Sequence, residues 1–128
     1  MGKAGIFLAF LAIALAGCAA KTADDIKSSF NPRSFVVPRA MMPTHESITA
    51  GLSGCVGDGN VVSRADEGGG FSKIFFVMGP QRSVAVVAEL KRRDAMETEV
   101  TLYGVSDRPN DGALLMYKNW ANGGSGCD

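Results

Sequence analysis

Few side chains in this sequence are suited to covalent or acid–base chemistry, and they are scattered along the chain. The 128 residues include one histidine, His45, and three cysteines, Cys18, Cys55 and Cys127. A serine nucleophile would need His45 as its base, but no Gly-x-Ser-x-Gly segment is present to position such a serine. We therefore interpret His45 as a solvated residue in the first turn of a helix.

The acidic residues do not form a pattern typical of a hydrolase or a metal site. Glu97 and Glu99 would share one face of a strand with Tyr103, whereas a glycosidase needs its two carboxyl groups across a cleft. Asp58-Gly59-Asn60 begins like a calcium loop but lacks the later ligands and the terminal Glu. The sequence thus predicts no catalytic residue, no metal ligand and no cofactor, and a hydrolase is the least favoured function.

The first twenty residues have the composition of an export signal. Lys3 is followed by an uncharged, mostly aliphatic run from Ala4 to Ala16, and small residues come next. The run is shorter than the roughly 20 apolar residues that a membrane-spanning helix needs, and charges from Lys21 onward close it. An export signal is therefore favoured over a transmembrane helix.

Leu15-Ala16-Gly17-Cys18 resembles the lipobox of bacterial lipoproteins. The resemblance covers the leader alone. It implies that the Cys18 thiol takes a diacylglyceryl group, that the signal is cut just before Cys18, and that the new amino terminus is acylated. Because Ala19 is not Asp, it also implies an outer-membrane location facing the periplasm. The alternative is ordinary signal cleavage after Ala16, since Ala14-Leu15-Ala16 fits the small-x-small rule.

The number of cysteines agrees with this interpretation. An odd count in an exported protein leaves one thiol unpaired, and lipidation of Cys18 would leave only Cys55 and Cys127. The periplasm is oxidising, so we predict a disulfide between them that closes a loop of about 72 residues, worth roughly 4 kcal/mol in the chain-entropy model. Free structural thiols and redox chemistry are the alternatives, the latter disfavoured because neither cysteine lies in a C-x-x-C motif.

Composition and charge place the chain among ordinary globular proteins. The 13 basic residues are balanced by 13 acidic ones, which argues against a nucleic-acid partner. We predict a signal peptide at residues 1–17, a lipidated and proline-containing tether at 18–43, and one folded domain at 44–128. A flexible coil of about 25 residues would span roughly 28 Å. Within that tether Phe35-Val36-Val37 is apolar and β-prone, which favours docking as an edge strand instead.

The domain is predicted to be α+β, a three- to four-stranded antiparallel meander flanked by an N-terminal and a C-terminal helix on one face. Residues 84–96 leave a helix open as an alternative to a strand, because Ala, Glu and Lys recur there. Thr44 is a candidate cap of the first helix, and Ser47 is a second candidate. The predicted elements are a helix over Thr44–Val56, strands over Asn60–Arg64, Phe71–Met78, Ser83–Leu90 and Glu97–Gly104, turns at Glu67–Gly70, Gly79–Arg82 and Lys91–Asp94, and a helix over Gly112–Ala121.

Two features could support binding. Lys91, Arg92 and Arg93 would form a basic corner at a hairpin end, suited to lipid phosphates, lipopolysaccharide or an acidic partner, or serving only to keep an edge soluble. The aromatic residues also exceed what one small core face needs, although core packing is the simpler interpretation. These aromatic residues are Phe71, Phe75, Phe76, Tyr117 and Trp120.

The layout of the body resembles that of small uncharacterised bacterial lipoproteins, on the basis of Cys55, Gly68-Gly69-Gly70, the meander from Phe71 to Gly104, and Cys127. That group brings no activity to carry over. We predict a non-enzymatic envelope lipoprotein with two contacts, the membrane through its anchor and an envelope protein partner. A periplasmic inhibitor resembling the lysozyme inhibitors is the alternative, although their characteristic sheet motifs are not seen here.

Overall fold

The computed structural model describes residues 20–108 and 111–128, so the leader and Cys18 lie outside the described residues. The described ranges contain three α-helices, five strands and one short 3-10 turn. These elements are α1 Ala23–Ser29, β1 Arg33–Val37, α2 Met41–Val56, the 3-10 turn Asp58–Asn60, β2 Val61–Asp66, β3 Phe71–Met78, β4 Ser83–Asp94, β5 Glu97–Tyr103 and α3 Gly112–Ala121.

The five strands form one antiparallel sheet in the order β1-β5-β4-β3-β2. Strands β2 to β5 are the predicted meander, and β1 adds to the β5 edge with Phe35 opposite Val100. The α+β class is therefore confirmed, whereas the prediction of three to four strands is wrong. The additional strand comes from the apolar segment inside the predicted tether.

Helices α2 and α3 pack together on one side of the sheet, which we call the helix face. Alternate strand residues such as Ile74, Leu90 and Val100 point to this side and join Ile48 and Trp120 in one buried core. Helix α3 matches its prediction, with the Asp111 side chain accepting from the Leu114 amide at its amino end. These contacts explain why a short α3 is stable, since its apolar side is buried almost completely.

Helix α2 begins earlier than predicted and without the predicted cap. Its amino-terminal flanking residue is Ala40, which makes no side-chain capping bond. Thr44 is fully buried, and its hydroxyl donates to the Ala40 carbonyl at 2.8 Å. Thr44 therefore lies inside the helix, and its polar group is satisfied by the preceding turn.

The opposite side of the sheet, the outer face, carries the shorter helix α1. Its Ile26 is buried, and the Lys27 ammonium lies 3.0 Å from a carboxylate oxygen of Glu89 and over the Tyr103 ring. Glu89 is flanked in β4 by two helix-face residues, and side chains of a strand alternate between faces. The two predicted helices, α2 and α3, thus lie on one face, whereas α1 is an additional helix on the other face that was not predicted.

The tether predicted for residues 18–43 is corrected over its described part. Residues from Ala23 to Val37 form a helix and a paired strand, and α2 begins at Met41 rather than at 44. Helix α1 has a capping box in which Thr22 and Asp25 satisfy each other's amides, which also lowers the pKa of Asp25. Proline content alone suggested a coil, but this cap and the burial of Ile26 outweigh it.

Strand β4 settles the choice left open for residues 84–96. It runs from Ser83 to Asp94, hydrogen-bonded to β3 on one side and β5 on the other. The helical alternative is therefore excluded, and the turn predicted at Lys91–Asp94 is wrong. Lys91 is paired with both Phe71 and Glu99, so pairing with two neighbours carries the strand through a segment whose polarity suggested a turn.

Candidate functional site

The predicted disulfide is present. Cys55, near the end of α2, is bonded to Cys127 near the end of the described chain, with an S–S distance of 2.05 Å and 72 positions between them. The bond ties the residues that follow α3 back to α2. Its role is therefore to hold α2 and α3 together on the helix face. The lipidation predicted at Cys18 lies outside the described residues.

Lys91, Arg92 and Arg93 do not form one basic corner. Lys91 lies on the outer face, Arg92 lies on the opposite side and donates to the Glu67 carbonyl at 2.7 Å, and Arg93 lies at an irregularity in the β4–β5 pairing. The Arg93 guanidinium is 3.6 Å from Glu97. Alternation along a strand separates neighbouring side chains, so the three charges cannot act on one ligand together.

His45 is buried rather than solvated, which corrects the interpretation made from the sequence. Its side chain is 7% exposed, and Nδ1 lies 2.8 Å from the Ser72 hydroxyl oxygen of β3. Burial lowers the pKa of His45, which favours the neutral imidazole. Because Ser72 is itself fully buried, this pair is a polar link between α2 and the sheet, and a substrate cannot reach the hydroxyl.

The most distinctive surface is a cleft on the outer face where the described chain begins, which we call the N-terminal groove. The Lys21 amide donates to the Ser83 hydroxyl at 3.2 Å, and the Lys21 carbonyl accepts from the Val84 amide at 2.9 Å. These two bonds hold the segment before α1 beside the start of β4. A cleft of about 560 Å³ lies between this segment and strands β2 and β3.

The floor of the groove is apolar. Val62 of β2 is directly opposite Phe75 of β3, and both are half-buried. Val77 and Val84 form the next cross-strand pair along the same face. Ala20 and Ala23 complete the apolar lining from the side of the amino-terminal segment. Their arrangement follows directly from strand alternation, which places every second residue of β2 and β3 on the outer face.

The rim of the groove is cationic. Lys21, Arg64, Lys73 and Arg82 line it, all four are exposed, and no Asp or Glu is among the lining residues. Arg64 and Lys73 are directly opposite each other in the β2–β3 pairing. Like charges in this position are unfavourable in an isolated sheet. The arrangement therefore favours an anion above the strands.

Only part of this charge is neutralised within the described residues. Lys73 lies 3.5 Å from Glu89, but the same carboxylate oxygen is shared with Lys27 at 3.0 Å. Arg82 donates to the Gly59 carbonyl, which holds its side chain without neutralising it. No described carboxylate lies within ion-pair distance of Lys21, Arg64 or Arg82. The groove thus combines an apolar floor with a net positive rim.

Sequence reasoning missed this site, although part of its signal was present. Val62 and Arg64 lie two positions apart in β2, and Lys73, Phe75 and Val77 lie two positions apart in β3, so a face that mixes cationic and apolar residues was readable. The position of Lys21 beside Ser83 was not readable, because 62 residues separate them in the chain.

Comparisons of the chain with protein-family models, with curated proteins and with solved structures gave no match. Within residues 20–108 and 111–128, no helix has the length and apolar character needed to cross a membrane. The same residues contain no group of three or more His, Cys, Asp or Glu side chains placed to hold a metal ion.

Proposed function

We propose that this protein is a lipid-anchored lipoprotein of the bacterial cell envelope that acts as a non-enzymatic interaction module held against the membrane surface. The observation that carries the proposal is the attachment of Lys21 to β4, only three positions after the lipobox cysteine Cys18. Three extended residues span at most about 11 Å. A lipid on Cys18 would therefore keep the folded domain in contact with the head groups.

This short connection also gives the domain an orientation. The end of the sheet that carries Lys21 and the Gly79–Arg82 loop would face the bilayer. Strand β4 runs away from this end of the sheet. Arg93 lies nine positions beyond Val84 in β4, and nine residues of a strand span roughly 30 Å. The β4–β5 hairpin at residues 91–97, which we call the far tip, would then project into the periplasm, where an envelope partner is accessible.

The far tip has the character of a small contact surface. Met96 is 65% exposed at its apex, beside the Arg93–Glu97 pair, and Phe71 on the neighbouring strand is 48% exposed. Exposed apolar side chains beside charged ones are available for contact with a protein partner. They support an interaction role for this end of the sheet.

The anchor is tested by the intact mass of the natively expressed protein. We expect loss of residues 1–17 and a mass increase for one diacylglyceryl group and one further acyl chain, with the protein in the membrane fraction and released by detergent but not by salt. Cys18→Ala should carry no acyl mass. The matched control is the Cys55→Ala/Cys127→Ala double variant, which should keep the full acyl mass. A wild-type product that begins at Gly17 with a free Cys18 thiol would refute the anchor.

The orientation is tested by fluorophores placed at the two ends of the sheet. Gln81→Cys lies in the Gly79–Arg82 loop, and Ala95→Cys lies at the far tip; both residues are exposed. In vesicles containing a head-group quencher, we expect strong quenching at position 81 and little at position 95. Equal quenching at both positions, or the reverse order, would contradict a domain oriented by its amino terminus.

A further inference from the structure

We propose that the N-terminal groove binds one anionic phospholipid, with the lipid phosphate between Arg64 and Lys73 and part of one acyl chain along Val62, Phe75 and Val77. The inference deepens the proposed function and rests on it for the source of the lipid, which is the bilayer that carries the protein. The bound lipid would be a second, non-covalent contact with the membrane beside the covalent anchor.

The charge of the groove selects an anion. Arg64 and Lys73 face each other across two strands, with Lys21 and Arg82 beside the start of β4 in the same cleft and no lining carboxylate. Glu89 is shared between Lys27 and Lys73, so it cannot neutralise the Arg64–Lys73 pair as well. A phosphate oxygen between the two cations would remove their repulsion, and an arginine side chain supplies several donors in a geometry that suits phosphate.

The floor of the groove selects an amphiphile rather than a simple anion. A free phosphate or a sugar phosphate would leave Val62, Phe75 and Val84 in contact with water, whereas an acyl chain would cover them. The cleft volume of about 560 Å³ is in the range of small-ligand pockets, and it is open at the surface rather than enclosed. A cleft of this kind accepts one chain laid along it from the membrane side.

The position of the groove indicates that the bound lipid comes from the membrane. Lys21 lines the groove and is also the residue that holds the amino-terminal segment to β4, three positions from Cys18. The Lys21 end of the groove therefore lies where the anchor would hold the domain to the head groups, and Lys73, opposite Glu89 in β4, lies about 17 Å farther along the strands. Basic residues near an anionic membrane surface each add to binding, and the effect decays within about one Debye length.

The experiment is a titration of the mature protein in neutral detergent with dihexanoyl phosphatidylglycerol, followed by amide chemical shifts. Dihexanoyl phosphatidylcholine and inorganic phosphate serve as comparison ligands. We expect saturable shifts that map to β2, β3 and residues 20–23 with phosphatidylglycerol. Affinities at least about tenfold weaker are expected for phosphatidylcholine and for phosphate. Equal affinity for phosphatidylcholine would overturn the anionic preference, and equal affinity for phosphate would overturn the acyl-chain contact.

The matched variants remove the same number of charges, one pair from the groove and the other from the far tip. Arg64→Gln/Lys73→Gln should weaken phosphatidylglycerol binding about tenfold or more, whereas Lys91→Gln/Arg93→Gln should change it less than about twofold. All four residues are exposed, so both variants should unfold at the wild-type denaturant midpoint. Equal weakening in both variants would show an effect of net charge alone and would overturn the site.

Repeating the titration on full-length Cys18→Ala separates this proposal from the previous one. A wild-type protein without acyl mass refutes the anchor, yet the groove can still be measured with the soluble short-chain lipid. Conversely, an acylated protein whose groove variants bind like wild type refutes the groove alone. Loss of binding in Cys18→Ala with its fold intact would show that the groove does not bind lipid by itself and would also overturn the proposal.

Discussion

The two faces of the sheet are built from the same strands but have different surroundings. On the helix face, α2 and α3 bury residues such as Leu90 and Val100 to 1% exposure or less. On the outer face, α1 packs beside β4 near Glu89, but Phe71 remains 48% exposed. The comparison teaches that one set of strands can supply stability through one face and a binding surface through the other, because successive side chains alternate.

The largest expected loss of stability comes from removing the disulfide that ties the residues after α3 to α2. The Cys55→Ala/Cys127→Ala double variant should lose about 4 kcal/mol of unfolding free energy, because the bond closes a loop with 72 positions between its ends and so restricts the unfolded chain. Denaturant unfolding of the two proteins measures the difference. A loss below about 1 kcal/mol would mean that the packing of α2 against α3 holds the two helices together without the bond.

The next prediction compares the changes in stability caused by substituting Gly51 and Gly54, two glycines of α2. Gly51 faces Trp120 so closely that an added methyl group would overlap the indole ring, whereas Gly54 has open space. Gly51→Ala should therefore destabilise the protein by about 1–3 kcal/mol through overpacking. Gly54→Ala should stabilise it by up to about 1 kcal/mol through helix propensity. Thermal unfolding of both variants checks the opposite signs, and a shared sign would show that the α2–α3 approach does not require the glycine.

The next prediction concerns the pH dependence of the unfolding free energy, to which the buried His45 on the helix face contributes. Burial lowers the pKa of His45, and the nearby Glu46 opposes this only in part. The unfolded chain therefore takes up a proton below about pH 6.5, before the folded protein does, so unfolding free energy should fall with decreasing pH. The fall stops once the folded protein also binds the proton, and one group contributes at most about 1.4 kcal/mol per pH unit.

The measurement is the difference in unfolding free energy between wild type and His45→Gln from pH 7 to pH 5. Glutamine keeps a polar group near the Ser72 hydroxyl but does not titrate in this range. We expect the wild type to lose more stability than the variant as the pH is lowered. Parallel curves for the two proteins would show that His45 does not contribute to the acid sensitivity of the fold.

The smallest expected loss of stability comes from a substitution on the outer face. Lys27 donates to Glu89 at 3.0 Å, and this bond raises the pKa of Lys27, but both side chains are partly exposed. Lys27→Gln should cost about 0.5 kcal/mol, and the cost should shrink at high salt. Lys91→Gln is the control and should have almost no effect. A cost for Lys27→Gln above about 2 kcal/mol would mean that the outer face contributes to stability as the helix face does.

Local sequence patterns were sufficient to predict most of the helices and strands. The strand predicted over Glu97–Gly104 is present as β5, and the helix predicted over Gly112–Ala121 is present as α3. Such patterns succeed because they depend on the period of one element. Turn prediction failed at Lys91–Asp94 because the polarity of these residues is local, whereas their pairing with β3 and β5 is not.

The sequence by itself determined the α+β class and the Cys55–Cys127 pair, because period and cysteine parity are properties of the chain. Tertiary structure alone decided that His45 is buried against Ser72, that the basic residues at 91–93 are dispersed, and that Lys21 closes a cationic groove. Those outcomes depend on residues 27 and 62 positions apart meeting in space. No periodicity within a single element specifies contacts between residues so far apart.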